Sequence, residues 1–217
     1  MRFTSLLMAA SAVIVVGAGP VALTQEKPDA IDATVKRFLD QHRNSWRDMN
    51  VPEADGQALY DLVVKNTCKR ALEIGTSTGH SGIYIGWALS KTGGKLITID
   101  IDEARHREAV GHFKEAGVAA FIDARLADAH DLVPKLEGPF DFVFIDADKE
   151  WYTNYAKAVI PKLAVGGCLT AHNVYPGRGR RSGGMTGDYY EYVSSLPFME
   201  TTVTPGGVAI SYKRREK

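Results

Sequence analysis

The sequence holds little cysteine: Cys68 and Cys168 are the only two among 217 residues. An exported chain could pair them. Each lies at the start of a predicted strand, however, and those strands are not neighbours, so their Cα atoms stand beyond disulfide reach. Both read as small buried apolar residues. A surplus of charge is also missing. Lys and Arg number 26, Asp and Glu 26, and the formal net charge is zero. That excludes a general attraction to nucleic acid or to an anionic membrane, and no run of like charge forms a tail. No internal repeat and no low-complexity stretch is present. The length suits one α/β domain with a full core. The turn Gly75-Thr76-Ser77-Thr78-Gly79 lacks two further things: the third glycine of dinucleotide binders, and any Lys or Arg to hold a pyrophosphate. A nicotinamide oxidoreductase is therefore disfavoured, and a ligand without phosphates fits better.

What is present begins with an apolar amino terminus. Arg2 precedes a run from residue 6 to 23 that carries no charge before Glu26. A positive residue, an apolar core and small residues near its end describe a secretory signal peptide over residues 1–24, with Gln25 as the mature start. The run also approaches the lower length limit of a spanning helix, which leaves an uncleaved anchor over residues 6–23 as the alternative. Residues 25–217 then form one domain.

From residue 31 onward the pattern is periodic. Val35, Phe38 and Leu39 mark a helix over 31–46, and Pro52 opens a second that runs to 65. Strands then alternate with helices. Strands are predicted at 70–74, 95–100, 121–126, 140–145 and 168–171. Helices fall at 81–90, 103–116, 130–136 and 151–163. A loop rich in Gly and Arg over 176–187 leads to a helix at 189–196. A hairpin of strands 200–203 and 208–212 turns at Pro205-Gly206-Gly207. Such alternation calls for a parallel sheet covered on both faces. The fold class is α/β: a doubly wound, Rossmann-like sheet, mostly parallel, with a reversed strand at the carboxyl end.

The chemistry gathers where predicted strands end, since ligands of open α/β sheets bind beyond the strands' carboxyl ends. Gly75 and Gly79 let the backbone approach a ligand after the first strand. Asp100 closes the second strand, where an acid can accept both hydroxyls of a ribose. S-adenosylmethionine, a nucleoside without phosphates, meets these constraints. The fourth strand runs Phe144-Ile145 into Asp146-Ala147-Asp148-Lys149. A carboxylate there can hold a cation, and the lysine can act as a base.

With these residues in place, the chain resembles the small cation-dependent O-methyltransferases typified by catechol and caffeoyl-CoA O-methyltransferase, from about residue 46 to 212. Met49-Asn50-Val51 followed by Gly56 is similar to the family's segment over the methyl donor. Glu73, Gly75, Ser77, Gly79 and Ser81 match its first donor motif, and Asp100 its ribose-binding acid. Asp128-Ala129-His130 matches the turn beside the adenine, so Val51 and Ala129 join the implied donor contacts, as does Asp146. The resemblance further implies Asp146 as a metal ligand, Lys149 as the general base, and His172 and Asn173 as the remaining metal ligands. It implies a divalent cation, a small hydroxylated aromatic acceptor, and often a homodimer. Three departures stand out. His172 replaces a carboxylate, His80 replaces an aromatic Tyr, and Gly206-Gly207 occupies the neighbourhood of an acid that touches the catechol in the animal enzyme. Mg²⁺ suits the family's carboxylate. With imidazole the preference moves toward Mn²⁺, Fe²⁺, Co²⁺ or Zn²⁺; the rival is that metal binding is lost. The loop with Arg178, Arg180 and Arg181 reads either as a lid over an acidic acceptor or as a solvated loop. Trp46 and Trp151 are candidates for an aromatic wall or for core. A donor-binding module without catalysis is the alternative function.

Overall fold

The structure is a computed structural model, and it describes residues 28–46, 49–176 and 186–215. The predicted leader and Arg178, Arg180 and Arg181 lie outside the described residues. Two helices, α1 (Pro28–His42) and α2 (Glu53–Lys65), precede the sheet. Then come β1 (Arg70–Ile74), α3 (His80–Thr92), β2 (Lys95–Asp100), α4 (Glu103–Glu115), β3 (Ile122–Leu126) and α5 (Ala129–Leu132). The second half holds β4 (Phe140–Ile145), α6 (Tyr152–Val159), β5 (Leu163–Ala171), α7 (Gly187–Ser195), β6 (Met199–Val203) and β7 (Ala209–Lys213).

The strand order is β3-β2-β1-β4-β5-β7-β6. Strands β1 to β5 pair in parallel, and β7 runs antiparallel to both β5 and β6. The alternation in β4 explains why helices cover both faces. Phe142 and Phe144 enter one apolar cluster with Phe38, Leu59 and Ile83. Val143 and Ile145 enter the other with Tyr152, Val159 and Leu169. Each fully buried side chain of this kind contributes about 1.5–3 kcal/mol.

The sheet sets the height of the site. Ile74 pairs with Ile99 on one side and with Ile145 on the other, and Ile145 pairs with Ala171. The residues that follow, Gly75, Asp100, Asp146 and His172, therefore emerge side by side at the carboxyl ends. The main chain ties them: Gly75 N–H donates to Ile99 O (3.0 Å), Asp146 N–H to Ile74 O (2.8 Å) and His172 N–H to Ile145 O (3.1 Å). Chain order reverses direction between β1 and β4, the switch point at which such sheets open a crevice.

Several boundaries differ from the sequence reading. Helix α1 ends at His42, and Trp46 instead stacks on His80 at 4.3 Å between ring centroids. Helix 151–163 is shorter: a 3-10 turn over Lys149–Trp151 precedes it, and at its carboxyl end Pro161 cannot continue an α-helix. Strand β5 starts five residues early, at Leu163. There a register shift against β4 and Gly166 at φ 83° let the strand accommodate glycines that read as a loop. Cys68 and Cys168 are buried and unpaired, with β4 lying between their strands.

Candidate active site

A cavity of about 930 Å³ opens above the switch point. At one end it is built from backbone. Gly75 stands at φ 102°, and a Cβ there would lie 2.8 Å from the Ala147 side chain and 2.9 Å from the Asp146 backbone. Only glycine allows β1 and β4 to approach this closely. Ser77 adopts φ 48°, which turns its N–H toward Asp100 Oδ2 at 2.7 Å. The other oxygen of Asp100 accepts from Asp102 N–H at 2.9 Å. The carboxylate is thus locked in place with lone pairs left for a ligand's hydroxyls. Asp128 caps α5 by accepting from His130 N–H at 2.8 Å, which fixes Ala129 at the cavity wall.

The other end is built from side chains. Lys149 Nζ donates to Asp146 Oδ1 at 2.5 Å and to the Tyr152 hydroxyl at 2.7 Å, and that hydroxyl donates to Asp146 Oδ1 at 3.3 Å. His172 lies between two carboxylates: Nδ1 is 3.3 Å from Asp146 Oδ2, and Nε2 is 3.0 Å from Asp55 Oδ2. Burial pulls the His172 imidazole down in pKa, but the Asp146 hydrogen bond and charge, helped by Asp55, override it, and the net shift is upward. Burial above all, and then Asp146, push the Tyr152 phenol well above its ordinary value, so it stays a hydroxyl donor. Asn173, at φ 56°, is held by Thr186 Oγ1 donating to its carbonyl at 2.8 Å. Asp148, at φ 49°, turns away from Lys149 and meets His130 Nε2 at 2.8 Å.

The O-methyltransferase family model matches residues 26–178, which include every residue of this cluster except Thr186. The chain belongs to the O-methyltransferase family. Caffeoyl-CoA O-methyltransferase 1 of Eucalyptus globulus is 34% identical over 136 residues, 60% of this chain and 55% of that protein. Flavonoid 3',5'-methyltransferase of Vitis vinifera is 35% identical over 141 residues, 62% of this chain and 59% of that protein. The chain thus spans little more than half the length of these curated relatives. Among solved structures, cofactor-bound Rv0187 from MTB shares 25% identity at a TM-score of 0.71, covering 90% of this chain and 94% of that one. The O-methyltransferase from Bacillus cereus in complex with SAH shares 23% identity at a TM-score of 0.69, covering 88% and 93%. That second likeness speaks for the fold.

The O-methyltransferase motif residues divide into two groups in this structure. Gly75, Ser77, Asp100, Ala129, Asp146, Lys149, His172 and Asn173 line the cavity, whereas Val51, Glu73, Gly79 and Ser81 do not. Val51 offers its carbonyl to His80 Nδ1 at 2.8 Å, behind the wall. Gly79 gives room to Phe113, whose ring would lie 2.8 Å from an added Cβ. Glu73 is fully buried beneath the donor turn and accepts from Thr98 Oγ1 at 2.6 Å. Burial lifts its carboxyl to about 8, against the hydrogen bonds of Ser81 and Thr98. None of these four faces the cavity. His80 is core, as its packing against Trp46 shows. Trp151 stacks on His130 at 3.6 Å, and neither Trp46 nor Trp151 lines the cavity. Sequence reading missed Tyr152 and Asp55. An i, i+3 spacing from Lys149 signals the first; nothing local signals Asp55, whose partner is 117 positions away.

Among the described residues, no three His, Cys, Asp or Glu side chains gather into a metal-holding group. The implied set is instead Asp146, His172 and Asn173, with an amide oxygen as its third donor. It fits a divalent ion. Asp146 Oδ2 and His172 Nδ1 stand 3.3 Å apart, a separation compatible with two neighbouring ligands whose bonds are about 2.1 Å. Lys149 and Tyr152 meet the other carboxylate oxygen.

Proposed function

We propose that this chain transfers a methyl group from S-adenosylmethionine to a hydroxyl of a small, catechol-like aromatic acceptor. One observation carries the reading. A single cavity joins a phosphate-free nucleoside seat, Gly75, Ser77 and Asp100, to a carboxylate–lysine–histidine cluster at Asp146, Lys149 and His172. The donor's ribose hydroxyls meet Asp100, and its adenine lies by Ala129. The reaction is an in-line displacement, in which a new C–O bond forms as the C–S bond breaks and the acceptor's proton leaves. Holding the reacting atoms near contact supplies several kcal/mol of the acceleration. Lys149 Nζ, gripped by Asp146 and Tyr152, is placed to take that proton once it has shed its own.

Asp146, His172 and Asn173 would hold a divalent cation, which orients neighbouring hydroxyls and lowers their pKa. The imidazole favours Mn²⁺, Fe²⁺, Co²⁺ or Zn²⁺ over Mg²⁺. The test is a methyl-transfer assay on chelator-stripped protein reloaded with each metal, using catechols and caffeoyl esters. Turnover restored best by a transition metal is the expected result, and full turnover in excess EDTA overturns the metal assignment. One observation favours that second outcome: both His172 nitrogens meet carboxylates, so a protonated ring could supply the positive charge unaided.

Residues 1–24 carry the sequence of an export signal, and we propose that the domain works outside the cytosol. Amino-terminal sequencing of fractionated protein reads this directly: a start near Gln25 supports export, and retention of Arg2 in a membrane fraction points to an anchor. A homodimer, frequent in the family, is read from light scattering.

A further inference from the structure

We infer that Asp55 is the positioning residue of the cation site, holding the ring of His172 so that Nδ1 faces Asp146. The inference rests on the metal assignment above and adds to it a residue from a distant part of the chain.

Asp55 lies in the first turn of α2 and is 8% exposed. A carboxylate only accepts hydrogen bonds, so the His172 nitrogen that meets it at 3.0 Å, Nε2, must carry the proton. Nδ1, on the side of Asp146 Oδ2 at 3.3 Å, holds the other ring position, where a bound cation would take the place of a proton. Metal-binding histidines characteristically donate their other N–H to a carboxylate in this way, which fixes both tautomer and ring orientation. Behind Asp55 the closing hairpin comes close. A Cβ at Gly206, in the turn between β6 and β7, would lie 2.6 Å from Asp55 Oδ1. The same turn is bound to the segment after His172, because Val174 N–H donates to Gly207 O at 2.8 Å. Helix α2, the end of β5 and the closing hairpin thus converge on one imidazole. This gives Gly206 a use where a bulkier residue would displace the carboxylate.

The test is a calorimetric titration of the metal-stripped full chain with Mn²⁺ and Co²⁺, together with the visible spectrum of the Co²⁺ form. Asp55→Asn should weaken metal binding roughly 10- to 100-fold and alter the Co²⁺ bands, with S-adenosylmethionine affinity unchanged. Asp55→Glu should recover part of the loss. Gly206→Ala, which keeps the carboxylate but crowds it, should give a smaller loss of the same kind and guards against misfolding of the first variant. Native metal affinity and an unchanged spectrum in Asp55→Asn overturn the inference while leaving the metal site standing. Wild-type protein that binds neither metal overturns the site itself, and the role of Asp55 with it.

Discussion

The two ends of the cavity are made of different materials. The donor end is a backbone device: a glycine at φ 102°, a serine amide aimed at a carboxylate, and a carboxylate pinned by two main-chain N–H groups. The acceptor end is a side-chain device: Asp146, Lys149, Tyr152, His172 and Asp55 lean on one another with few main-chain supports. A backbone device is dictated by short sequence and tolerates little substitution. A side-chain device can be retuned by a single replacement, which is the role proposed above for His172. The difference predicts that damage at one end leaves the other measurable.

The largest separation should come from Lys149→Met. Loss of a positioned base lowers kcat by roughly 10²–10⁴, while donor affinity measured by calorimetry stays native; a joint loss of both would erase the division. Gly75→Ala comes next. A Cβ there is strained at positive φ and overlaps Ala147 and Asp146, so a cost of about 1–3 kcal/mol or more is expected in chemical denaturation, with weakened donor binding. Because Gly75 abuts the Asp146 backbone, this variant alone should disturb both ends. Asp100→Ala removes charge-assisted hydrogen bonds worth about 1.5–3 kcal/mol and should weaken donor binding roughly 10- to 100-fold, with metal affinity untouched.

The last effect is a matter of pH. Burial raises Glu73 from 4.5 to about 8. A raised carboxyl contributes its stability below pH 4.5 and loses it as pH rises through about 8. Glu73→Gln removes that loss, so its Tm relative to wild type should climb steadily between about pH 5 and pH 8 and level off above it. A pH-independent difference would mean that Glu73 is already charged when folded.

This division also decides what could be read from the sequence. Strands β1 and β4 appear in the sequence with the bounds seen in the structure, because they are short apolar runs between turns. Gly75 and Asp100 are legible for the same reason: their roles follow from a strand end and a turn. Strand β5 was shortened because Gly166-Gly167 reads as a break when its pairing partners are unseen. Asp146, Lys149 and His172 could be named from their strand ends, but their mutual arrangement depends on Asp55 and Tyr152. Asp55 looks like any acid in a first helical turn. Only the folded sheet brings it to His172.

The meeting of Asp55 with the β6–β7 turn has a consequence in time. Asp55 is made by the ribosome well before Gly206. A nascent chain can assemble the nucleoside seat on β1 and β2 well before the hairpin emerges, but the carboxylate behind His172 meets its neighbouring turn only once that hairpin has been made. A contact of such long range forms late because the loop it closes is the costliest in entropy. Arrival of the hairpin should therefore act as a checkpoint: a product truncated ahead of the β6–β7 hairpin would lack a finished catalytic end.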